Sequence, residues 1–307
     1  MIWRDLGDIR FADLQIGWAK SHLMGPTPVL ISDQVIRIYI TCLDEHGMGK
    51  PTYLEVSSFD PTKVLYVNPH PILEVGSPGT FDDNGLMLTS VVKQDDSRFL
   101  LYYAGFEICE KIRYRIFTGL AISSDAGKNF ERFSSTPILD RAPNEEFFRC
   151  GSYVLVEDGK FKIWYVGGGS WTQIDGKEMP VYDLKYAESK DGINWPDKGE
   201  TIIPITRDDE HGFGRPWVTI SDSGRYEMFY SIRSKLLKAY QLGYATSLDG
   251  VTWERKDDQV GLATAPESLA TNAIMYSSLI SVHGKTYCFY NGDNFGQFGF
   301  SISELIT

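Results

Sequence analysis

Acidic residues, arginines, histidines and aromatics gather in five short stretches, each just ahead of an apolar segment. These are residues 20–28, with His22; 79–85, with Asp82 and Asp83; 144–152, with Glu145, Glu146 and Arg149; 211–217, with His211 and Arg215; and 272–277, with Tyr276. Breaking a glycosidic bond needs a carboxylic acid to protonate the leaving oxygen. It also needs a second carboxylate, as base or nucleophile, on the other side of the sugar. Either Asp82 or Asp83, with either Glu145 or Glu146, can form that pair. Successive strand residues point to opposite faces, so at most one of Asp82 and Asp83 faces a shared cavity. Arg149 and Arg215 suit a carboxylate, a phosphate or ring hydroxyls, because the guanidinium is a rigid fork of donors. Trp171, after the glycine run at 167–169, has the flat face on which a sugar ring stacks. His22, His211, Tyr276 and Asn291 complete the expected substrate-binding set. Plainer uses exist for the same residues. Asp-Asp-Asn-Gly is also the composition of a solvated turn, Glu145 and Glu146 of an exposed loop, and Arg215 can stack on Trp217.

The elements that must position these groups are strands. Ala-Glu-Ser-Lys-Asp-Gly-Ile-Asn-Trp at 187–195 returns as Ala-Thr-Ser-Leu-Asp-Gly-Val-Thr-Trp at 245–253, and a looser copy with one inserted residue lies at 121–130. Each copy alternates apolar and polar residues, as a half-buried strand does, and then turns. Asp-Gly is a hairpin signal because glycine accepts positive φ at little cost. A second repeat lies upstream, an aromatic-rich strand at 37–40, 99–105, 161–167, 226–230 and 286–292, each preceded by an apolar strand at 28–31, 86–92, 152–156, 217–220 and 277–282. A unit recurring at this spacing reads as a propeller or other array. The expected fold is therefore all-β, a five-bladed β-propeller with four antiparallel strands per blade, forming one domain over 1–307. N-terminal residues such as 9–11 are expected to complete the last blade. The Asp-Gly turns then fall on one face and the starts of the first strands on the other.

Composition narrows the partners. The net charge is −11, which excludes a general nucleic-acid binder. Aromatics reach 13%, favouring sheets and flat-ligand pockets. Cys42, Cys109, Cys150 and Cys288 form no C-x-x-C pair and are expected as free thiols beside apolar runs. The five histidines are scattered without metal-ligand spacing, and no phosphate-binding glycine loop occurs, so no metal or cofactor is expected. No apolar run approaches the length of a membrane span, and the N-terminal residues do not read as a signal peptide; the expected location is the cytoplasm. The sequence sets no oligomeric state.

Over nearly its whole length the chain resembles the five-bladed propellers of the glycoside hydrolase superfamily that contains arabinanases, β-xylosidases and invertases. It looks most similar to a bacterial group akin to the glucosamine inositolphosphorylceramide transferase-like propeller. The residues carrying this are Gly-Thr-Phe-Asp-Asp-Asn-Gly at 79–85, Gly-Leu-Ala-Ile-Ser-Ser-Asp at 119–125, Pro-Ile-Leu-Asp-Arg at 137–141, Lys-Ile-Trp-Tyr at 162–165, Gly-Arg-Pro at 214–216, Tyr-Gln-Leu-Gly-Tyr-Ala at 240–245 and Tyr-Asn-Gly at 290–292. The resemblance implies that Asp83 matches the substrate-positioning Asp of the second blade. Two departures stand out. The hydrolases carry an Asp at the start of the first blade, where this chain has Met-Gly-Pro-Thr-Pro at 24–28; their third-blade acid, a Glu, falls where this chain has Arg149. Either Glu145 or Glu146 substitutes from a shifted position, or the reaction is not ordinary hydrolysis. The leading expectation is a glycoside hydrolase-like enzyme acting on a small carbohydrate or nucleotide sugar, in polysaccharide biosynthesis. The alternatives are a glycosyl transferase or a catalytically silent sugar-binding propeller, with a protein-interaction propeller as a third class.

Overall fold

Antiparallel pairing sorts the strands into groups of four. The structure, a computed structural model, describes residues 1–237 and 239–307. The first group is β2 (Ser21–Ser32), β3 (Val35–Leu43), β4 (Gly49–Ser57) and β5 (Val64–Val67). The second is β6 (Leu86–Lys93), β7 (Phe99–Ile108), β8 (Tyr114–Ser123) and β9 (Glu131–Arg132). The third is β10 (Phe148–Glu157), β11 (Lys160–Ile174), β12 (Lys177–Ser189) and β13 (Glu200–Ile203). The fourth is β14 (Glu210–Ile220), β15 (Tyr226–Ser234), β16 (Tyr240–Ser247) and β17 (Trp253–Arg255). The last joins β18 (Met275–Val282), β19 (Lys285–Asn291) and β20 (Gly299–Leu305) to β1 (Trp3–Arg10), the N-terminal strand. Ile9 pairs Phe300 and Arg10 pairs Gly299, so N-terminal residues do complete the last group. Brief parallel ladders, β8 to β10 and β12 to β14, link the middle groups into one long sheet. Helix is confined to single turns among the described residues.

The first strands β2, β6, β10, β14 and β18 lie side by side in that order, with β18 also against β2. Apolar clusters fill the space between successive groups. Tyr39 and Tyr53 meet Phe99 and Phe117; Tyr102 and Leu120 meet Phe161 and Ile163; Trp164 and Leu184 meet Phe213 and Met228; Phe229 and Tyr244 meet Leu279 and Cys288; Phe289 and Phe300 meet Ile36 and Ile38. Strands alternate their side chains, so each sheet feeds two such clusters, one per face.

The repeated Asp-Gly phrase is the joint between groups. Its Asp Oδ1 accepts backbone N–H bonds from the turn: Lys128 and Asn129 at Asp125, Ile193 and Asn194 at Asp191, Val251 and Thr252 at Asp249. These donors hold all three carboxyls below the usual range. The turn glycine carbonyl then accepts from an aromatic of the preceding group. Tyr39 Oη donates to Gly127 at 2.9 Å, Tyr102 Oη to Gly192 at 2.9 Å and Trp164 Nε1 to Gly250 at 2.8 Å. At Gly192 φ is +71°, and a Cβ would stand 2.5 Å from Tyr102 Oη, so the position admits glycine alone without rearrangement.

The first strands start earlier than the sequence suggests, except β6. The reason is a bulge shared by all five, with register shifts at Met24/Thr27, Leu88/Ser90, Cys150/Tyr153, Gly214/Trp217 and Met275/Ser278. Gly25, Gly151, Arg215 and Tyr276 take positive φ there. A bulge breaks the two-residue alternation, which makes the strand read as a loop. Much of what the sequence presents as loop is therefore buried strand.

Candidate functional site

A cleft of about 470 Å³ opens at the end of the molecule where the first strands begin, opposite the Asp-Gly turns. Connections between second and third strands build most of it. The β11–β12 hairpin contributes Ile174, Asp175, Lys177 and Met179; its two-residue turn has positive φ at Asp175 and Gly176, as a right-twisted hairpin demands. β14 places His211 in the wall, and β15 delivers Arg233 and Ser234. Tyr240, Ala273 and Met275 line it further, with Asp293 and Phe295 of the β19–β20 connection.

Aromatic rings form one side. Tyr240 lies 5.8 Å from both Phe295 and Tyr276, centroid to centroid. The Arg233 guanidinium sits between two rings, 5.5 Å from Tyr182 and 5.4 Å from Tyr240, and donates to Tyr182 Oη at 2.5 Å. His211 is buried, with Nδ1 3.1 Å from the Pro180 carbonyl. A carbonyl only accepts, so Nδ1 carries the proton and Nε2 is left as an acceptor. Burial, and then the Arg233 charge, push the His211 pKa down to about 4, so the ring is neutral near pH 7. Asp293 accepts from Thr271 Oγ1, from Asn272 N at 2.8 Å and Nδ2 at 3.1 Å, and from Ala273 N at 2.7 Å. Burial alone would raise its pKa, but these donors outweigh burial and lower it.

Of the residues singled out from the sequence, His211 lines this cleft, and Tyr276 backs its aromatic wall. Others are framework. Asp82 is fully buried, accepting from Tyr103 Oη and Arg132 Nε, each at 2.9 Å. Glu145 is fully buried too, accepting from Tyr165 Oη at 2.8 Å with Arg149 Nε at 2.9 Å. The other Arg149 nitrogens donate to the carbonyls of Asp140 and Pro196 and to Tyr165 Oη. Arg215 is the hub of the first strands: it donates to Thr27 Oγ1 at 2.6 Å and to the carbonyls of Gly25, Pro26 and Tyr276. Asn291 bonds Gly25 N, the Leu23 carbonyl and the Gly299 carbonyl, tying the last group to the first. Asp82, Glu145, Arg149, Arg215 and Asn291 have one feature in common. They are buried, and most of their polar atoms bond buried backbone or buried countercharges, although Glu145 Oε1, Arg149 Nε and Arg215 Nε have no hydrogen-bond partner among the described residues.

Trp171 packs among Tyr114 at 5.4 Å and Phe148 at 5.2 Å rather than standing as an open platform. His22 has positive φ, is half-buried and lies 2.7 Å from Ser21 Oγ; burial lowers its pKa. Asp83 is half-buried and accepts from Gly79 N at 2.7 Å, while Glu146 is exposed and accepts from Asn144 N at 3.0 Å. Arg233, Tyr240, Lys177 and Phe295 also line the cleft and lie outside the five stretches ahead of the first strands, because the cleft is built mainly beyond the second ones. The Asp175-Gly176 hairpin signal was available to point there. Among the described residues no His, Cys, Asp and Glu cluster suited to a metal occurs, and no helix is long and apolar enough to cross a membrane.

The chain shares its fold with glycoside hydrolases of propeller type. One solved structure described as a glycoside hydrolase matches at TM-score 0.70 and 18% identity, covering 96% of this chain and 93% of that one. A glycosyl hydrolase from Bacteroides ovatus matches at TM-score 0.70 and 14% identity, covering 94% and 85%. A thermostable family-43 glycoside hydrolase matches at TM-score 0.69 and 14% identity, covering 93% and 89%. No protein-family model matches the chain. In sequence, it is 30% identical over 305 residues to the uncharacterized protein Rv1502 of Mycobacterium tuberculosis strain ATCC 25618 / H37Rv, covering 99% of both chains. The uncharacterized protein MT1551 of strain CDC 1551 / Oshkosh matches to the same extent. With that identity along essentially the full length of both chains, this protein belongs to the family of the mycobacterial protein Rv1502.

Proposed function

We propose that this chain is a carbohydrate-active protein of the glycoside hydrolase-like propeller type and that the cleft bounded by the β11–β12 hairpin, Arg233, Tyr240 and Phe295 holds the sugar. The observation that carries this is the make-up of the cleft: aromatic faces of Tyr240 and Phe295 beside the donors and acceptors of Arg233, His211 and Asn272. Sugar rings present apolar C–H faces and equatorial hydroxyls, and such a wall answers both. The reading takes the strand groups as five blades of one ring and one domain, acting on a small carbohydrate or nucleotide sugar, with polysaccharide biosynthesis as its setting.

Catalysis falls to carboxylates that reach solvent. Asp83 and Glu146 meet that condition at the same end of the molecule, outside the lining of the cleft, and in this proposal they are the acid–base candidates for a sugar that extends beyond it. A second reading, a sugar-binding propeller without turnover, is favoured by one observation: both oxygens of Asp293 in the cleft are engaged by residues 271–273. Turnover of a panel of aryl glycosides and nucleotide sugars, with binding followed in parallel, separates the two. Turnover lost in Asp83→Asn or Glu146→Gln with binding kept supports the enzyme. Binding that Tyr240→Ala weakens, without turnover of any substrate, supports the binding protein. Neither binding nor turnover across the panel rejects both.

A further inference from the structure

Resting on the reading of the cleft as a sugar site, we infer that the sugar it takes carries an oxyanion, a phosphate or a carboxylate, held by the Arg233 guanidinium. Four arginines are buried among the described residues: Arg37, Arg149, Arg215 and Arg233. Arg37 pairs Glu55 at 2.7 Å, and Arg149 pairs Glu145 at 2.9 Å. Arg215 has no carboxylate but is wrapped by three carbonyls and a hydroxyl. Arg233 is 8% exposed, with no carboxylate partner among the described residues and one hydrogen bond, to Tyr182 Oη.

A guanidinium has five N–H donors and does not lose its charge in proteins. Removing it from water without a countercharge is costly, and two flanking rings return only part of that cost. The unspent donors of Arg233 face the cleft, where Ser234 and neutral His211 stand beside it and Lys177 lies on the rim. The cleft carboxylate nearest in the chain to the aromatic wall, Asp293, is engaged by residues 271–273, and Asp175 sits beside Lys177 at the hairpin tip. A bidentate oxyanion on Arg233 supplies the missing countercharge. His211 Nε2 accepts a hydroxyl proton from the same ligand. In a chain of net charge −11, a cation kept buried and unanswered at a cleft is a recognition element.

Isothermal titration of the full chain tests this with glucose, galactose and mannose, each as neutral hexose, 1-phosphate and uronate, and with inorganic phosphate alone. The expected result is an anionic form bound at least about tenfold tighter than its neutral parent. Arg233→Gln is expected to weaken the anionic form on the order of 100-fold and the neutral form by far less. Arg233→Lys, which keeps the charge and loses the fork, retains part of the preference and covers the case in which Arg233→Gln does not fold; the wild-type preference needs no variant. Preference for the phosphate or for the uronate distinguishes the two sources. Neutral sugars bound as tightly as both anionic forms overturn the inference and leave the carbohydrate reading standing. A preference that survives Arg233→Gln at unchanged melting temperature overturns the assignment to Arg233. Inorganic phosphate bound through Arg233 with no sugar of any form overturns the carbohydrate reading while keeping the anion site. No binding of any probe overturns both.

Discussion

Buried charges in this protein divide by what answers them. Asp82 and Glu145 each meet an arginine and a tyrosine hydroxyl inside the sheets. Breaking such a pair from one side strands a desolvated charge, and Arg132→Met, which leaves Asp82 without its countercharge, is expected to cost about 3 kcal/mol in urea unfolding. His211 is answered by nothing anionic, and its pKa falls from 6.5 to about 4. The unfolded chain therefore takes up a proton near pH 6.5 that the folded chain refuses until about pH 4. Stability from this residue is complete above pH 6.5 and is lost as the pH falls toward 4, with no further loss below. Allowing for partial solvent access, the loss is about 2 kcal/mol. Urea melts at pH 7, 5 and 4 should show the wild-type advantage over His211→Gln shrinking by that amount across the window; a constant difference would refute it.

At the scale of elements, the Asp-Gly turn and the aromatic of the preceding group act as one fastening. Gly192→Ala must place a Cβ against Tyr102 Oη at positive φ, whereas at Gly250 the nearest atom to a new Cβ is 3.3 Å away. Both substitutions bear the left-handed penalty of about 1 kcal/mol, and the Gly192 variant should lose at least about 1 kcal/mol more by denaturant melts. Tyr102→Phe, which leaves the Gly192 carbonyl without its donor, is expected to cost about 1 kcal/mol. The bulges matter at this scale too. They were the feature least legible in the sequence, because a positive-φ residue such as Arg215 or Tyr276 looks like any other in a string of letters. The bulges make Arg149 and Arg215 read as loop residues ahead of a strand, although both lie within buried strands.

For the whole molecule, the meeting of β1 with β20 is decisive. It joins the two ends of the chain through a ladder from Trp3–Leu305 to Arg10–Gly299. Deleting residues 1–10 would bare the β20 edge and remove Ile9 from the cluster between the last and first groups. The truncated chain should unfold over a broader transition in calorimetry and aggregate on heating; an unchanged sharp transition would show that the β1–β20 ladder does not hold the last group together.

The repeated phrase and the spacing of aromatic strands by themselves determined that the protein is all-β and built from similar four-stranded units. Periodicity and turn chemistry are local, and local rules are written residue by residue. Which charged groups reach a ligand was decided only by tertiary structure. Whether an arginine is answered by a carboxylate, wrapped by carbonyls or left open to a cleft depends on partners far away in the chain. Arg215 meets Thr27 across 188 residues and Arg233 meets Tyr182 across 51, and no local pattern encodes either meeting.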